Sequence, residues 1–155
     1  YSDRSINYAA PDGWTKVPLN PSGDQQGGDD PVPVAVFVKS NGSQKNVIEI
    51  LVAPSAGSSL EDFERSYESG LRKNDTSTFV SKKTKVTLAN GMPAYWLKVT
   101  NGEEAGKYTL RYEYVISDLK RGIVAAYVGR PGSTDEKEAQ AALASLAVVV
   151  YPGAR

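Results

Sequence analysis

Alternation of apolar and polar positions dominates this chain. The cleanest run is Lys107–Ser117, where Tyr108, Leu110, Tyr112, Tyr114 and Ile116 face one way and Thr109, Arg111 and Glu113 the other. It is rich in aromatic and β-branched residues and contains no Gly or Pro, which predicts a central strand paired on both edges. Phe79–Ala89, Met92–Thr100 and Gly122–Gly129 alternate in the same way around it. Short turns at Asn90-Gly91, Gly102–Ala105 and Asp118–Arg121 join the four runs into a meander. Upstream, Val34–Lys39 and Asn46–Ala53 read as two strands around Asn41-Gly42, and Ser5–Ala10 and Trp14–Leu19 as extended segments around Pro11-Asp12-Gly13.

Two stretches follow the helical period instead. Ser58 with Glu61 forms a capping box that opens a helix to about Asn74, with Leu60, Phe63, Tyr67 and Leu71 as its apolar stripe and Gly70 as a weak point. Ser133 with Glu136 opens a second, whose buried side is Ala139, Ala142, Leu143 and Leu146. Residues 20–33 are too rich in Gly, Pro and Asp for regular structure and predict a flexible loop, and Pro152-Gly153 starts a frayed C-terminus over residues 152–155. The expected class is α+β: one domain over residues 1–155, with a single antiparallel sheet of six to eight strands and two main helices.

The three turns set registers. A two-residue Asn90-Gly91 turn pairs Val86 with Tyr95 and Lys85 with Trp96. Four-residue turns pair Leu97 with Leu110, Trp96 with Arg111, Tyr112 with Tyr127 and Ile116 with Ile123. Together they predict one apolar face holding Val86, Leu88, Tyr95, Leu97, Val99, Leu110, Tyr112, Tyr114, Ile123 and Tyr127. The opposite face then gathers Lys83, Lys85, Trp96, Lys98 and Arg111, with Glu113 beside them. A tryptophan ringed by cations suits an anionic or aromatic partner, and these six residues are the candidate binding site. The bland alternative is a helix that covers this face and leaves only the lysine tips in water.

Composition narrows the chemistry. The 155 residues include no cysteine and no histidine, which excludes thiol nucleophiles, Ser-His-Asp triads and Cys/His metal sites. Lys and Arg total 18 and Asp and Glu 18, so no global field favours nucleic acid or an anionic membrane. Asp24, Asp29 and Asp30 offer oxygen ligands for calcium, but their spacing matches no EF-hand loop, and no cofactor or metal is expected. Ser117-Asp118-Leu119-Lys120 spells a Ser-x-x-Lys motif, yet falls on a hairpin turn rather than a helix, with no Lys-Thr-Gly to follow. Asn41-Gly42-Ser43 and Asn74-Asp75-Thr76 match the glycosylation sequon. The chain begins at Tyr1 rather than Met, as a processed or truncated product would, a removed secretion signal being one explanation.

The pattern resembles the PsbP-like superfamily, which includes photosystem II PsbP, a Ran-binding nuclear import factor and many small bacterial lipoproteins. The residues that carry it are Tyr8, Pro11, Gly13 and Trp14, then Ser59–Phe63, the run Val86–Tyr95, the Tyr-rich strand and the terminal helix. The resemblance implies an antiparallel sheet flanked by helices as an α/β/α sandwich, and a non-enzymatic binding or assembly protein. It also implies export or a lipid anchor outside this chain. Histidine ligands proposed for photosystem forms have no counterpart here. The expected function is therefore an extracytoplasmic module recognising a protein or small anionic partner. Two alternatives stand beside it: a hydrolase or transferase using carboxylates or a Ser-Lys pair, and a structural subunit of an envelope assembly. The last would show an apolar patch rather than a polar pocket.

Overall fold

The computed structural model describes residues 6–19, 31–41, 44–53, 59–74, 76–102, 108–118, 121–130 and 135–148. In chain order the elements are β1 (Ile6–Asn7), β2 (Thr15–Val17), β3 (Val32–Asn41), β4 (Gln44–Ala53), α1 (Leu60–Asn74), β5 (Thr78–Thr87), β6 (Pro93–Gly102), β7 (Tyr108–Ser117), β8 (Gly122–Gly129), α2 (Glu136–Ala142) and β9 (Ala147–Val148). Seven strands form one sheet in the order β2-β3-β4-β8-β7-β6-β5, every pair antiparallel. The expected meander is its larger part, and β7 is paired on both edges. β1 and β9 form a separate two-stranded ladder.

Both faces of the sheet are packed. One carries Ile48, Ile50, Trp96, Tyr112, Ile116, Ile123 and Tyr127 against Ala139, Ala142, Leu143 and Leu146 of the α2 region and against Ile6 and Val148 of the small ladder. The other carries Leu51, Leu97, Val99, Val115, Val124 and Ala126 against Phe63 and Tyr67 of α1. With both faces buried, β8 is apolar throughout rather than alternating. Close approach is decisive at one point: a Cβ on Gly122 would lie 2.1 Å from the Phe63 ring, so only glycine lets α1 seat there.

The helix starts differ from expectation by one or two residues. The Ser59 hydroxyl accepts from the Asp62 backbone N–H at 3.2 Å and opens α1, while Ser58 lies outside the described residues. Asp135, not Ser133, caps α2: its carboxylate accepts from the Glu138 N–H at 2.7 Å. A carboxylate at an N-cap also complements the helix dipole.

Two of the three expected registers are corrected. The β7–β8 pairing stands as predicted, with Tyr112 opposite Tyr127 and Ile116 opposite Ile123. Asp118 closes that turn by accepting from the Arg121 N–H at 2.6 Å and from its guanidinium at 3.0 Å. Between β5 and β6, Lys85 faces Tyr95 and Thr84 faces Trp96. The Gly91 N–H donates to Leu88 O and the Leu88 N–H to Met92 O, with Gly91 at φ +91°. That is a three-residue loop, a type I turn closed by a left-handed glycine, rather than a two-residue turn. Between β6 and β7 the ladder ends at Gly102 opposite Tyr108, so Val99, not Trp96, faces Arg111. Tyr95, Leu97 and Val99 accordingly join the α1 face, not the face of Leu110, Tyr112 and Tyr127.

Candidate functional site

The corrected registers divide the six candidate residues. Lys83, Lys85, Arg111 and Glu113 share the α1 face. Trp96 and Lys98 lie on the other, because each faces residues of that side across the ladder: Trp96 opposite Tyr114, Lys98 opposite Tyr112. Trp96 is 3% exposed, stacks on Tyr112 at 5.9 Å between ring centroids and packs on Tyr114 at 4.5 Å. Its indole N–H is buried without a hydrogen-bond partner among the described residues. Lys98 lays its ammonium 5.9 Å from the Tyr112 ring centre. The tryptophan is a core residue, not the floor of a cationic surface.

The four residues that stay together meet α1 rather than solvent. Along that helix Glu61, Glu64 and Glu68 follow helical spacing and so project on one side. Lys85 donates to Glu61 at 2.8 Å, and Lys83 reaches Glu64 at 2.7 Å and Glu68 at 3.4 Å. Lys83 also lies 5.5 Å from the Tyr95 ring centre. Deeper in, the fully buried Glu113 accepts from the Tyr67 hydroxyl at 2.7 Å and from Arg111 Nε at 3.2 Å. The second arm of Arg111 donates to Glu49 at 3.3 Å. One Glu113 oxygen, Oε1, has no hydrogen-bond partner among the described residues.

Each protonation preference in this layer has a local cause. Burial pushes the Glu64 carboxyl up, assisted by its hydrogen bond with Glu68 and only partly opposed by Lys83. Burial works the same way on Glu68, but the bond from Glu64 and the charges of Lys83 and Arg72 outweigh it and hold Glu68 low. Glu61, at the surface, is lowered by the hydrogen bond from Lys85. Burial and the neighbouring Glu113 push the Tyr67 phenol well up. Burial opposes the charge on Arg111 too, yet Glu113, Tyr67 and Glu49 together fix it as a guanidinium. The layer is thus a lattice of matched charges that docks α1. Its sequence signal was the acidic stripe 61-64-68 facing Lys83 and Lys85.

The remaining candidates contribute less. Asp24, Asp29 and Asp30 lie outside the described residues, and no cluster of three metal-ligating side chains occurs among the described ones. Ser117 ends β7, while Lys120 of the Ser-x-x-Lys motif lies outside the described residues.

Fold comparison adds one finding. The chain superposes on the solution structure of cyanobacterial PsbP (CyanoP) from Synechocystis sp. PCC 6803 with a TM-score of 0.65, over 96% of this chain and 91% of that one. This is a PsbP-like fold. At 14% sequence identity the likeness is one of fold. No family model and no curated protein matches the sequence.

Within the PsbP-like fold the α1 side of the sheet continues past β7 onto β8, β4, β3 and β2. α1 packs over β5, β6 and β7, and its Phe63 reaches β8 at Gly122. Beyond it, the ladder places Val38 opposite Val47 and Val47 opposite Val128, and Val17 opposite Val36 and Val36 opposite Glu49. These five valines are partly exposed, and Val128 packs against the core cluster under α1. The charges at the border of this strip, Glu49 and Arg111, are already paired with each other.

Proposed function

We propose that this chain is a non-catalytic binding and assembly module of an extracytoplasmic compartment, and that it recognises a partner protein through the partly exposed valines of β2, β3 and β4. The observation that carries this reading is the valine strip. Partly exposed apolar side chains gathered on one face of a sheet favour a protein contact over a small-molecule pocket. The lysines first considered for a small anion face their own glutamates, which favours a protein partner over an anion. Extracytoplasmic placement rests on the resemblance to exported PsbP-like proteins. No helix among the described residues is long and apolar enough to cross a membrane.

Site-specific photo-crosslinking in the native cells tests the reading. A benzophenone side chain at Val38 or Val47 should capture one discrete protein, and the same group at Thr84 on the β5 edge should not. Equal capture from both positions, or none from the strip, would remove the strip as the recognition surface. Protease accessibility in spheroplasts against intact cells tests the compartment.

A further inference from the structure

We infer that Asn90 is a site of spontaneous deamidation, guarded by the strand β9, and that its conversion to a carboxylate unlatches that strand. The pair Asn90-Gly91 supplies the chemistry. The Gly91 backbone nitrogen attacks Asn90 Cγ and closes a cyclic imide, while the Cγ–Nδ2 bond breaks and ammonia leaves. Water then opens the imide at either carbonyl, giving aspartate or isoaspartate. Glycine suits the attack because no Cβ shields its nitrogen. The fold needs glycine there for a separate reason: Gly91 sits at φ +91° and closes the β5–β6 loop. Both residues are exposed, so water reaches them.

In the folded chain every group of that ring closure is engaged. The Gly91 N–H donates to Leu88 O at 2.9 Å. Asn90 Oδ1 accepts from the Met92 N–H at 3.2 Å, and Asn90 Nδ2 donates to Val148 O. The first two bonds stay within the loop, and the third crosses to β9. An aspartate would accept from Met92 equally well, whereas only an amide donates to Val148 O. The nitrogen that distinguishes Asn from Asp at this position therefore ties β9, and the same nitrogen is the leaving group. Deamidation removes the donor and leaves a carboxylate oxygen facing a carbonyl oxygen, two acceptors with no proton between them.

β9 is two residues long and pairs with β1, also of two residues. A two-stranded ladder is marginal by itself, so this one opens more readily than the seven-stranded sheet. Each opening frees the Asn90 amide, and once the amide is converted the tie to Val148 does not re-form. The latch runs one way. It holds part of the sheet's cover, since Ile6 and Val148 belong to the core that encloses Trp96 and Tyr112. Asn101-Gly102 offers a contrast within the same chain. Asn101 is laddered with Thr78 and Thr109 and accepts from the Thr78 hydroxyl at 3.0 Å, so the large sheet governs it rather than β9.

The whole chain is aged in buffer, and conversion at Asn90 and Asn101 is followed by peptide mapping with mass spectrometry, isoaspartate being resolved by its chromatographic shift. In denaturant Asn90 should convert at least about tenfold faster than in the native chain, because three hydrogen bonds no longer hold its groups. Ser145→Ala removes an exposed tie to the Ala9 backbone, made at 3.0 and 2.6 Å. It should speed conversion of native Asn90 several-fold while Asn101 keeps its rate. Val148→Ala, which loosens β9 from the core, should act more strongly in the same direction. The latch is read by hydrogen exchange of residues 143–148. Exchange there should quicken in Asn90→Asp beyond Asn90→Ala, which loses the donor without gaining a charge, and β7 should be unchanged in both. Conversion of native Asn90 as fast as in denaturant would overturn the guarding role. So would an unchanged rate in both β9 variants, or equal acceleration at Asn101, which would make global unfolding the gate. Exchange in Asn90→Asp like that of the parent would overturn the latch.

Discussion

Replacing Gly122 by alanine should unseat α1 although it adds a single methyl group. The new Cβ would lie 2.1 Å from two atoms of the Phe63 ring and 2.5 Å from a third, where ordinary contact begins at 3.4 Å. The ring must therefore recede by about 1.3 Å in a close-packed setting. It cannot do so freely, because Phe63 is 3% exposed and packs beside Tyr67 at 6.2 Å. The start of the helix has to lift with it. Overpacking of this kind costs about 1–3 kcal/mol, a large part of a total of about 5–15 kcal/mol. In urea, with a slope of about 2 kcal/mol/M, the midpoint should fall by about 0.5–1.5 M. The opposite sign would be expected if only chain entropy mattered, since Gly→Ala restricts the unfolded state and stabilises by about 0.4–1 kcal/mol where the geometry allows. A rescue distinguishes the contact from a general intolerance of β8. In a Phe63→Leu background the same alanine should cost at least about 0.5 kcal/mol less, as contacting residues couple. A Gly122→Ala protein as stable as the parent, or strict additivity with Phe63→Leu, would refute the close approach as the reason for glycine.

Three further outcomes follow from the α1 layer. Arg111→Met should cost about 3–5 kcal/mol by leaving Glu113 buried beside Tyr67 alone, and adding Glu113→Leu should recover part of that loss in the same denaturation assay. Carboxyl-detected NMR titration should show Glu64 titrating above its ordinary range and Glu61 and Glu68 below it. The signs then oppose. Glu64 binds its proton more tightly in the fold, so its contribution to stability declines as pH rises from the ordinary carboxylate value through the raised one. Glu61 and Glu68 contribute fully above the ordinary value and lose that contribution as pH falls through their depressed ones. Gly70→Ala should stabilise by about 0.5–1 kcal/mol, read as a higher Tm, since a Cβ there meets no atom within 4 Å.

The strands were legible because alternation and turn residues report directly on burial, and β8 against β7 was legible to the residue because Asp118 closes a turn of fixed length. Loop lengths were not. Asn90-Gly91 serves a two-residue turn or, as here, the end of a three-residue loop. The β6–β7 ladder ends at Gly102 opposite Tyr108, three places from the register that a Gly102–Ala105 turn would set. Each miscount is odd, so each inverts a strand relative to its neighbour. Two inversions cancel between β5 and β7, which is why Lys83, Lys85, Arg111 and Glu113 do share a face. β6 lies between the two errors, so of the six candidates only Trp96 and Lys98 changed sides. What the sequence could not convey was the order in which non-local neighbours meet, above all that β4 pairs with β8. The valine strip is a product of that placement rather than of any local pattern.

The small β1–β9 ladder sets a timetable for folding. Ile6 pairs with Val148, the Tyr8 hydroxyl donates to Ala142 O, and Ser145 joins the backbone of Ala9, so these contacts span more than a hundred residues of chain. The hairpins and α1 can form from neighbours already synthesised, but the side of the sheet bearing Trp96 and Tyr112 gains its cover only when the last described segment arrives. Contacts of such separation form late and slowly. Until then those aromatic rings stay open to water, and a chain interrupted before α2 would carry a sheet with one side unsealed.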